Sequence, residues 1–181
     1  NLIAGSANPS LKIHITEFNP SLDPPYGQPQ PLNDALAVAE AYRLIIGTAN
    51  YRNSVAGMQY WQLAGASHTW ALIRKKDLAP GFYVTPTYHV IHGFNNHFGE
   101  DLVTLALSNV PKSAGFDLVT GLASTTGSGS SKKIYVMLIN LDSANNHTVN
   151  LNLNALSAAS SYRMCSRSLN GATLDSFVEA P

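Results

Sequence analysis

Residues 12–19 read Lys-Ile-His-Ile-Thr-Glu-Phe-Asn, and this stretch decides how the rest of the chain is interpreted. Up to Phe18 it is short, β-branched and alternating, which predicts a β-strand. Residues 19–31 follow and contain five prolines and one glycine, a composition that excludes a helix or a central strand and predicts a long loop. A helix is predicted over residues 33–50, because apolar residues recur there at helical spacing.

The same order of elements then repeats. A second strand is predicted over residues 54–63 and a second long loop over residues 64–82. The next helix has a clear start signal, with Thr85 as the N-cap and Pro86 at the first helical position, and Gly99 is its predicted C-cap. Residues 1–99 therefore contain two strand–helix units, with a long loop after each strand.

Residues 100–181 change character, because short strands separated by turn residues replace the strand–helix units. In one of these strands Val149, Leu151 and Leu153 alternate with asparagines, which is typical of a sheet with one solvated face. Residues 125–131 are rich in Gly, Ser and Thr and predict a hairpin loop. This half is predicted to be a β-sandwich, or most of one. Its predicted strands are residues 101–107, 116–122, 134–141, 148–153, 161–167 and 173–178.

The composition argues against several classes of partner. Eleven basic side chains balance eleven acidic ones among 181 residues, so we expect neither nucleic acid nor an anionic membrane as a partner. Only 12% of the residues are charged, and the Asn, Ser and Thr that replace them are common on secreted proteins. No apolar run approaches the roughly 18 residues that span a bilayer. The single cysteine, Cys165, is predicted to be a small buried hydrophobe in a strand.

Candidate catalytic residues follow from the strand ends. In a parallel α/β barrel the catalytic groups lie at the carboxyl ends of the strands. Glu17 is the last inward-facing residue of its strand if the two isoleucines before it face the barrel interior. The same alternation turns His14 toward the helices, where it would be a core residue. The second strand ends in Tyr60 and Trp61, which would lie at the same mouth.

Three of these segments carry a resemblance to a known group of enzymes. Residues 15–19, Ile-Thr-Glu-Phe-Asn, resemble the nucleophile motif on the seventh barrel strand of clan A retaining glycoside hydrolases, particularly families 39 and 51. Tyr60-Trp61 looks like the end of their eighth strand, and residues 86–99 resemble their eighth helix, which leads into a β-sandwich. These families comprise β-xylosidases, α-L-arabinofuranosidases and some endoglucanases.

The resemblance implies a fold and a division of the chain. Residues 1–99 would be the last two strand–helix units of a (β/α)8 barrel, and residues 100–181 a β-sandwich, incomplete at its end. The family's acid/base glutamate stands in an Asn-Glu pair, and no such dipeptide occurs here. The amino terminus also lacks the pattern of a signal peptide, so the chain is expected either to be already processed or to begin within a longer one. The missing barrel units favour the second. A missing barrel segment would then come from a second chain, or the edges of residues 12–18 and 55–63 would self-associate.

The predicted function is hydrolysis of O-glycosidic bonds in plant-type polysaccharides or oligosaccharides by a secreted enzyme, with no cofactor. Glu17 would be the nucleophile, and Trp61, Asn19 and Tyr60 would contact the carbohydrate. Without the resemblance, Glu17 would be interpreted as a surface glutamate at a strand end. Trp61 is also typical of a core aromatic. A non-catalytic carbohydrate-binding or assembly fragment is the alternative from another class. Residues 74–76, Arg-Lys-Lys, are predicted to be a solvated charge run. If they instead bind an acidic sugar, the third possible function is that of a β-glucuronidase or heparanase-like hydrolase.

Other motifs have simpler interpretations. Asp23 and Asp77 lie on the loops after the two strands and are predicted to be turn or capping residues rather than the catalytic acid. The histidines of the second helix lack an acidic or cysteine ligand, so no metal site is predicted. Residues 146–148, Asn-His-Thr, match the acceptor pattern for N-glycosylation in an exposed turn.

Overall fold

The computed structural model of the protein describes residues 8, 10–20, 32–65, 71–75, 80–153 and 163–170. The strand predicted at residues 173–178 lies outside this set.

The first strand–helix–strand unit is present in the predicted order. Strand β1 is Ile13–Phe18, helix α1 is Leu32–Gly47 and strand β2 is Val55–Tyr60. Strands β1 and β2 are parallel neighbours, with Ile15 opposite Met58. Parallel neighbours require a crossover connection, which here contains α1.

The helix predicted over residues 33–50 is interrupted. Helix α1 ends at Gly47, a residue that disfavours helix continuation, and Thr48 adopts an extended conformation with φ −94° and ψ 116°. A short helix α2, Ala49–Ser54, then leads directly into β2. Ala49 was expected on the apolar face of one long helix, but it is exposed because the break changes the direction of the chain.

The prediction of a buried His14 is wrong. Its side chain is exposed and lies beside Gly57 of β2, where an added Cβ would come within 3.2 Å of His14 Nδ1. Ile13, expected to face a barrel interior, is also exposed. Both results follow from β1 pairing only with β2 in the part of the chain that the structure describes.

The segment predicted as one long loop over residues 64–82 contains two short strands and the first residue of a third. They are β3 (Ala64–Gly65), β4 (Ile73–Lys75) and β5 (Phe82–Val84), and they form one sheet in the order β3-β4-β5. Arg74 of β4 is only 3% exposed, and its guanidinium lies 6.0 Å from the ring centre of Tyr83. The prediction of a solvated charge run is therefore wrong for Arg74, while Lys76 is outside the described residues.

Helix α3, Pro86–Asn96, begins as predicted, with Thr85 as its N-cap residue and Pro86 at its start. The Thr85 hydroxyl donates to the carbonyl of Leu72 at 3.3 Å instead of capping the helix. This hydrogen bond ties the start of α3 to the segment before β4.

The second half of the chain forms short strands after α3. They are β6 (Asp101–Val103), β7 (Lys112–Ser113), β8 (Phe116–Asp117), β9 (Val119–Thr126) and β10 (Lys133–Asn140). The largest sheet is antiparallel in the order β10-β9-β6, and β7 pairs with β8. The predicted hairpin loop is confirmed between β9 and β10, where Gly127 and Gly129 have positive φ values. The second layer of a sandwich stays a prediction.

The C-cap of α3 is His97 and not Gly99. Gly99 has a different role, because its backbone N–H donates to Ser124 Oγ of β9 at 2.7 Å. A Cβ at this position would lie 2.5 Å from the carbonyl oxygen of Thr125. Glycine is therefore needed where the chain crosses closely over β9.

One hydrophobic cluster joins the two halves. Its buried members are Ala39 of α1, Phe94 of α3 and Ile139 of β10, and Leu122 and Met137 pack around them. Helices α1 and α3 therefore pack against one face of the β9–β10 hairpin. The predicted division at residue 100 separates elements that share this core.

Residues after β10 differ from the prediction. Residues 145–153 and 163–170 have no regular secondary structure, so the strand expected at residues 148–153 and the described part of the one at residues 161–167 are absent. Cys165 is exposed instead of buried in a strand. Both predictions relied on local alternation, which forms a strand only where a partner strand accepts the backbone hydrogen bonds. No helix among the described residues is long and apolar enough to cross a membrane.

Candidate functional site at the carboxyl ends of β1 and β2

The carboxyl ends of β1 and β2 are joined by the chain segments that follow them. The backbone N–H of Trp61 donates to the carbonyl of Phe18 at 3.0 Å. The rings of Phe18 and Tyr60 meet edge to face, with their centres 5.6 Å apart. Together these contacts hold the ends of the two parallel strands at one edge.

Glu17 lies next to this junction and is exposed to solvent. The register of β1 against β2 is irregular between Ile15 and Phe18, the interval that contains Glu17. Such irregularities change the direction of a side chain and are frequent beside active sites. The Glu17 carboxylate is thus accessible to a ligand approaching the strand ends.

The other three predicted site residues lie at the same edge. Asn19 Nδ2 is 3.5 Å from the carbonyl oxygen of Trp61, which links the two strand ends a second time. The Trp61 side chain is 46% exposed, so part of its indole is available to a ligand. Tyr60 is partly buried through its contact with Phe18. Asn19, Tyr60 and Trp61 therefore lie at one edge, and Glu17 directly precedes Phe18 on the strand that ends there.

Gln62 is a neighbour that the sequence reasoning did not single out. Its Nε2 atom is buried and makes no hydrogen bond within the described part of the chain. Gly65 lies so close that an added Cβ would be 2.7 Å from this atom. The peptide bond between Trp61 and Gln62 is cis. The only sequence signal was position, directly after the aromatic pair.

The rings of the two α3 histidines contact the neighbouring Tyr88. The rings of His89 and His92 lie 5.6 and 5.7 Å from that of Tyr88, and Arg167 donates to His97 Nε2 at 3.0 Å. Burial lowers the pKa of His89, and the neighbouring His92 lowers it further. Among the residues that the structure describes, no group of three His, Cys, Asp or Glu side chains is placed to hold a metal ion.

A cavity of about 400 Å³ lies elsewhere, between helices α1 and α2 and strands β6 and β9. Two arginines line it, but both have protein partners. Arg43 pairs with Glu40 at 2.8 Å, and Arg52 donates to the carbonyl of Ile46 at 2.8 Å. Both arginine side chains of this cavity therefore already contact other groups of the protein, which makes it a poor candidate for the functional site.

The two aspartates weighed as a catalytic acid, Asp23 and Asp77, lie outside the described residues. Comparison of the whole chain with models of known protein families and with curated protein sequences gives no match.

Proposed function

We propose that this chain carries the nucleophile of a retaining glycoside hydrolase. Glu17 is that nucleophile, Trp61 stacks on a sugar ring, and Asn19 and Tyr60 contact the substrate beside it. The observation that supports the proposal most is the arrangement of the strand ends, where residues 17–19 and residues 60–61 meet at the carboxyl edge of two adjacent parallel strands. This edge is where parallel α/β folds place their catalytic groups.

The chemistry requires two carboxyl groups. Glu17 attacks the anomeric carbon, the bond to the leaving oxygen breaks, and a carboxylic acid about 5–5.5 Å from the nucleophile protonates that oxygen. The product of this step is a glycosyl ester on Glu17. The same second group then removes a proton from water, which releases the sugar with its original anomeric configuration.

The second carboxyl group is proposed to come from a segment that completes the barrel. The sheet of β1 and β2 has two strands within the described residues, and the large apolar side chains of Ile13 and Leu63 are exposed. Parallel sheets are ordinarily covered on both faces, and open strand edges accept further strands. Further strands pair there, either from a second chain or through association of this one.

The test of this function is covalent trapping of Glu17. An activated fluoro-sugar, with dinitrophenolate as leaving group and fluorine in place of the hydroxyl next to the anomeric carbon, needs no acid to react. It therefore reports on the nucleophile whichever residue is the acid. The experiment uses the native assembly with xylosyl, arabinofuranosyl, glucosyl and glucuronyl reagents.

We expect one of these reagents to add one sugar to the chain, on the peptide that contains Glu17. The sugar that reacts identifies the substrate class, and labelling by the glucuronyl reagent would favour hydrolysis of acidic glycans. Labelling of another carboxylate would contradict the assignment of Glu17. Labelling by none of the four reagents would also contradict it and would favour a non-catalytic module.

Trp61→Ala is expected to weaken binding of the sugar type identified by labelling, supplied without the activated leaving group. The expected loss is about 1–3 kcal/mol, roughly 5- to 150-fold in Kd, because an indole face is lost. Titration calorimetry on the assembled protein measures the effect. Tyr51→Ala is the matched control, because Tyr51 is a similarly exposed aromatic, 53% against 46%, and lies in α2 before the amino end of β2. Equal affinities for the wild type and the Trp61 variant would leave the indole without a role in binding.

A further inference from the structure

The loop after β10 contains an Asn-x-Thr triplet that has no role in the proposed function. The chain has three Asn-x-Ser/Thr triplets, at residues 8–10, 19–21 and 146–148. Proline occupies the middle position of the first two, and proline there prevents a triplet from acting as a glycosylation acceptor. Asn146, in Asn-His-Thr, is therefore the one asparagine of this sequence that meets the chemical requirement.

The structure of the loop depends on Asp142. Its Oδ1 atom accepts hydrogen bonds from the backbone N–H groups of Ala144 and Asn145 at 2.9 and 3.2 Å, and its Oδ2 atom accepts from the side chain of Asn145 at 3.1 Å. His147 Nε2 lies 2.8 Å from the same Oδ2. The hydrogen bond from Ala144, followed by those from Asn145 and His147, lowers the pKa of Asp142 to about 2. The carboxylate is therefore charged, and acts as acceptor, near neutral pH.

In this arrangement the three side chains of the triplet differ in their exposure to solvent. His147 turns toward Asp142 and is partly buried, whereas Asn146 and Thr148 are exposed. The remaining anchor of the loop is Asn140, whose Nδ2 donates to the carbonyl of Asn145 at 3.0 Å. Within the part of the chain that the structure describes, no hydrogen bond uses the side-chain amide of Asn146 or the hydroxyl of Thr148. These are the two groups that an acceptor site must present to an enzyme.

We infer that Asn146 is an N-glycosylation site and that its partner is a lipid-pyrophosphate-linked oligosaccharide, delivered by a glycosyl-transferring enzyme of the secretory pathway. Asn146 Nδ2 forms a bond to the anomeric carbon of the donor sugar and loses one proton. The bond from that carbon to the pyrophosphate oxygen breaks, and the lipid pyrophosphate leaves. The exposed asparagine then carries the oligosaccharide without displacing a side chain of the loop.

The test uses the whole chain behind a cleavable secretion signal in a eukaryotic host, with a reference acceptor triplet appended at its end. Only secreted molecules with a glycan on the reference triplet are scored, so every molecule counted has met the enzyme. Peptide N-glycosidase in heavy-oxygen water converts an occupied asparagine to a labelled aspartate, and peptide mass spectrometry measures the occupied fraction.

We expect most wild-type molecules to be occupied at Asn146, and Asn146→Gln and Thr148→Ala to reduce that fraction to background. Thr148→Ser keeps a hydroxyl and should retain occupancy. Asn150→Gln, which alters an exposed asparagine outside any triplet, should leave occupancy unchanged. Wild-type molecules that are empty at Asn146, although their reference triplet is occupied, would overturn the inference. The result does not depend on Glu17, so it is independent of the proposed hydrolase activity.

Discussion

Glu17→Gln is expected to reduce turnover of glycosides by about 10⁵-fold, in the range found when a covalent nucleophile is removed. The amide has nearly the same shape as the carboxylate but cannot form the glycosyl ester. Glu17 is exposed at the end of β1, and no described residue would lose a hydrogen bond or ion pair through the change. The fold is therefore expected to be unaffected. Initial rates with chromogenic glycosides, measured on the assembled protein, test this.

Glu100→Gln is the matched control for that experiment. Glu100 is an exposed glutamate in the connection between α3 and β6, far along the chain from β1, and its loss of charge should leave the rate within twofold of the wild type. A Glu17→Ala variant provides a second, independent readout. Azide should partly restore its turnover and give a glycosyl azide product. Substantial activity of the Gln variant, after deamidation has been excluded, would refute the nucleophile assignment.

Phe94→Ala is expected to lower the free energy of unfolding by about 3–5 kcal/mol, the usual cost of truncating a buried phenylalanine. Phe94 is 7% exposed and contacts α1 and the sheet through the shared core. Its ring stacks on Tyr42 with centres 5.0 Å apart and lies 5.8 Å from Phe98. Urea denaturation followed by circular dichroism measures the change in midpoint and slope.

Phe116→Ala removes the same side chain from an exposed site. Phe116 is 76% exposed at the start of β8, so its loss should alter stability by less than about 0.5 kcal/mol. A Phe94 variant as stable as the Phe116 variant would show that the cluster joining α1, α3 and β10 does not form. Since that cluster holds the helices against the hairpin, such a result would also contradict the packing of the two halves.

The candidate site could be predicted from the sequence because its residues lie at the ends of short, strongly patterned segments. Alternation over residues 12–18, followed by a proline-rich loop, was enough to place Glu17 and Asn19 at a strand end. The second strand placed Tyr60 and Trp61 in the same way. Their proximity depends on β1 and β2 being adjacent, which the intervening helix favours but only the folded chain provides. Gln62 could not be identified, because its buried amide results from the later return of the chain to β4.

By itself, the sequence determined the features that depend on neighbours within a few residues. These are the strand at β1, the apolar face of α1, the Thr85-Pro86 start of α3 and the glycine-rich turn between β9 and β10. In each case the backbone preference or the short-range spacing carries the information.

The tertiary structure decided the features that depend on segments distant in sequence. Local pattern assigned Gly99 to a helix end, but its contact with Thr125 makes it a crossing point over β9. Arg74 belongs to a run of basic residues, yet its pairing with β5 buries it. Residues 148–153 alternate as a strand would, but no described strand pairs with them. Burial and sheet pairing depend on the segment that packs against a strand as well as on the strand itself. For this physical reason they cannot be predicted from the sequence of one segment alone.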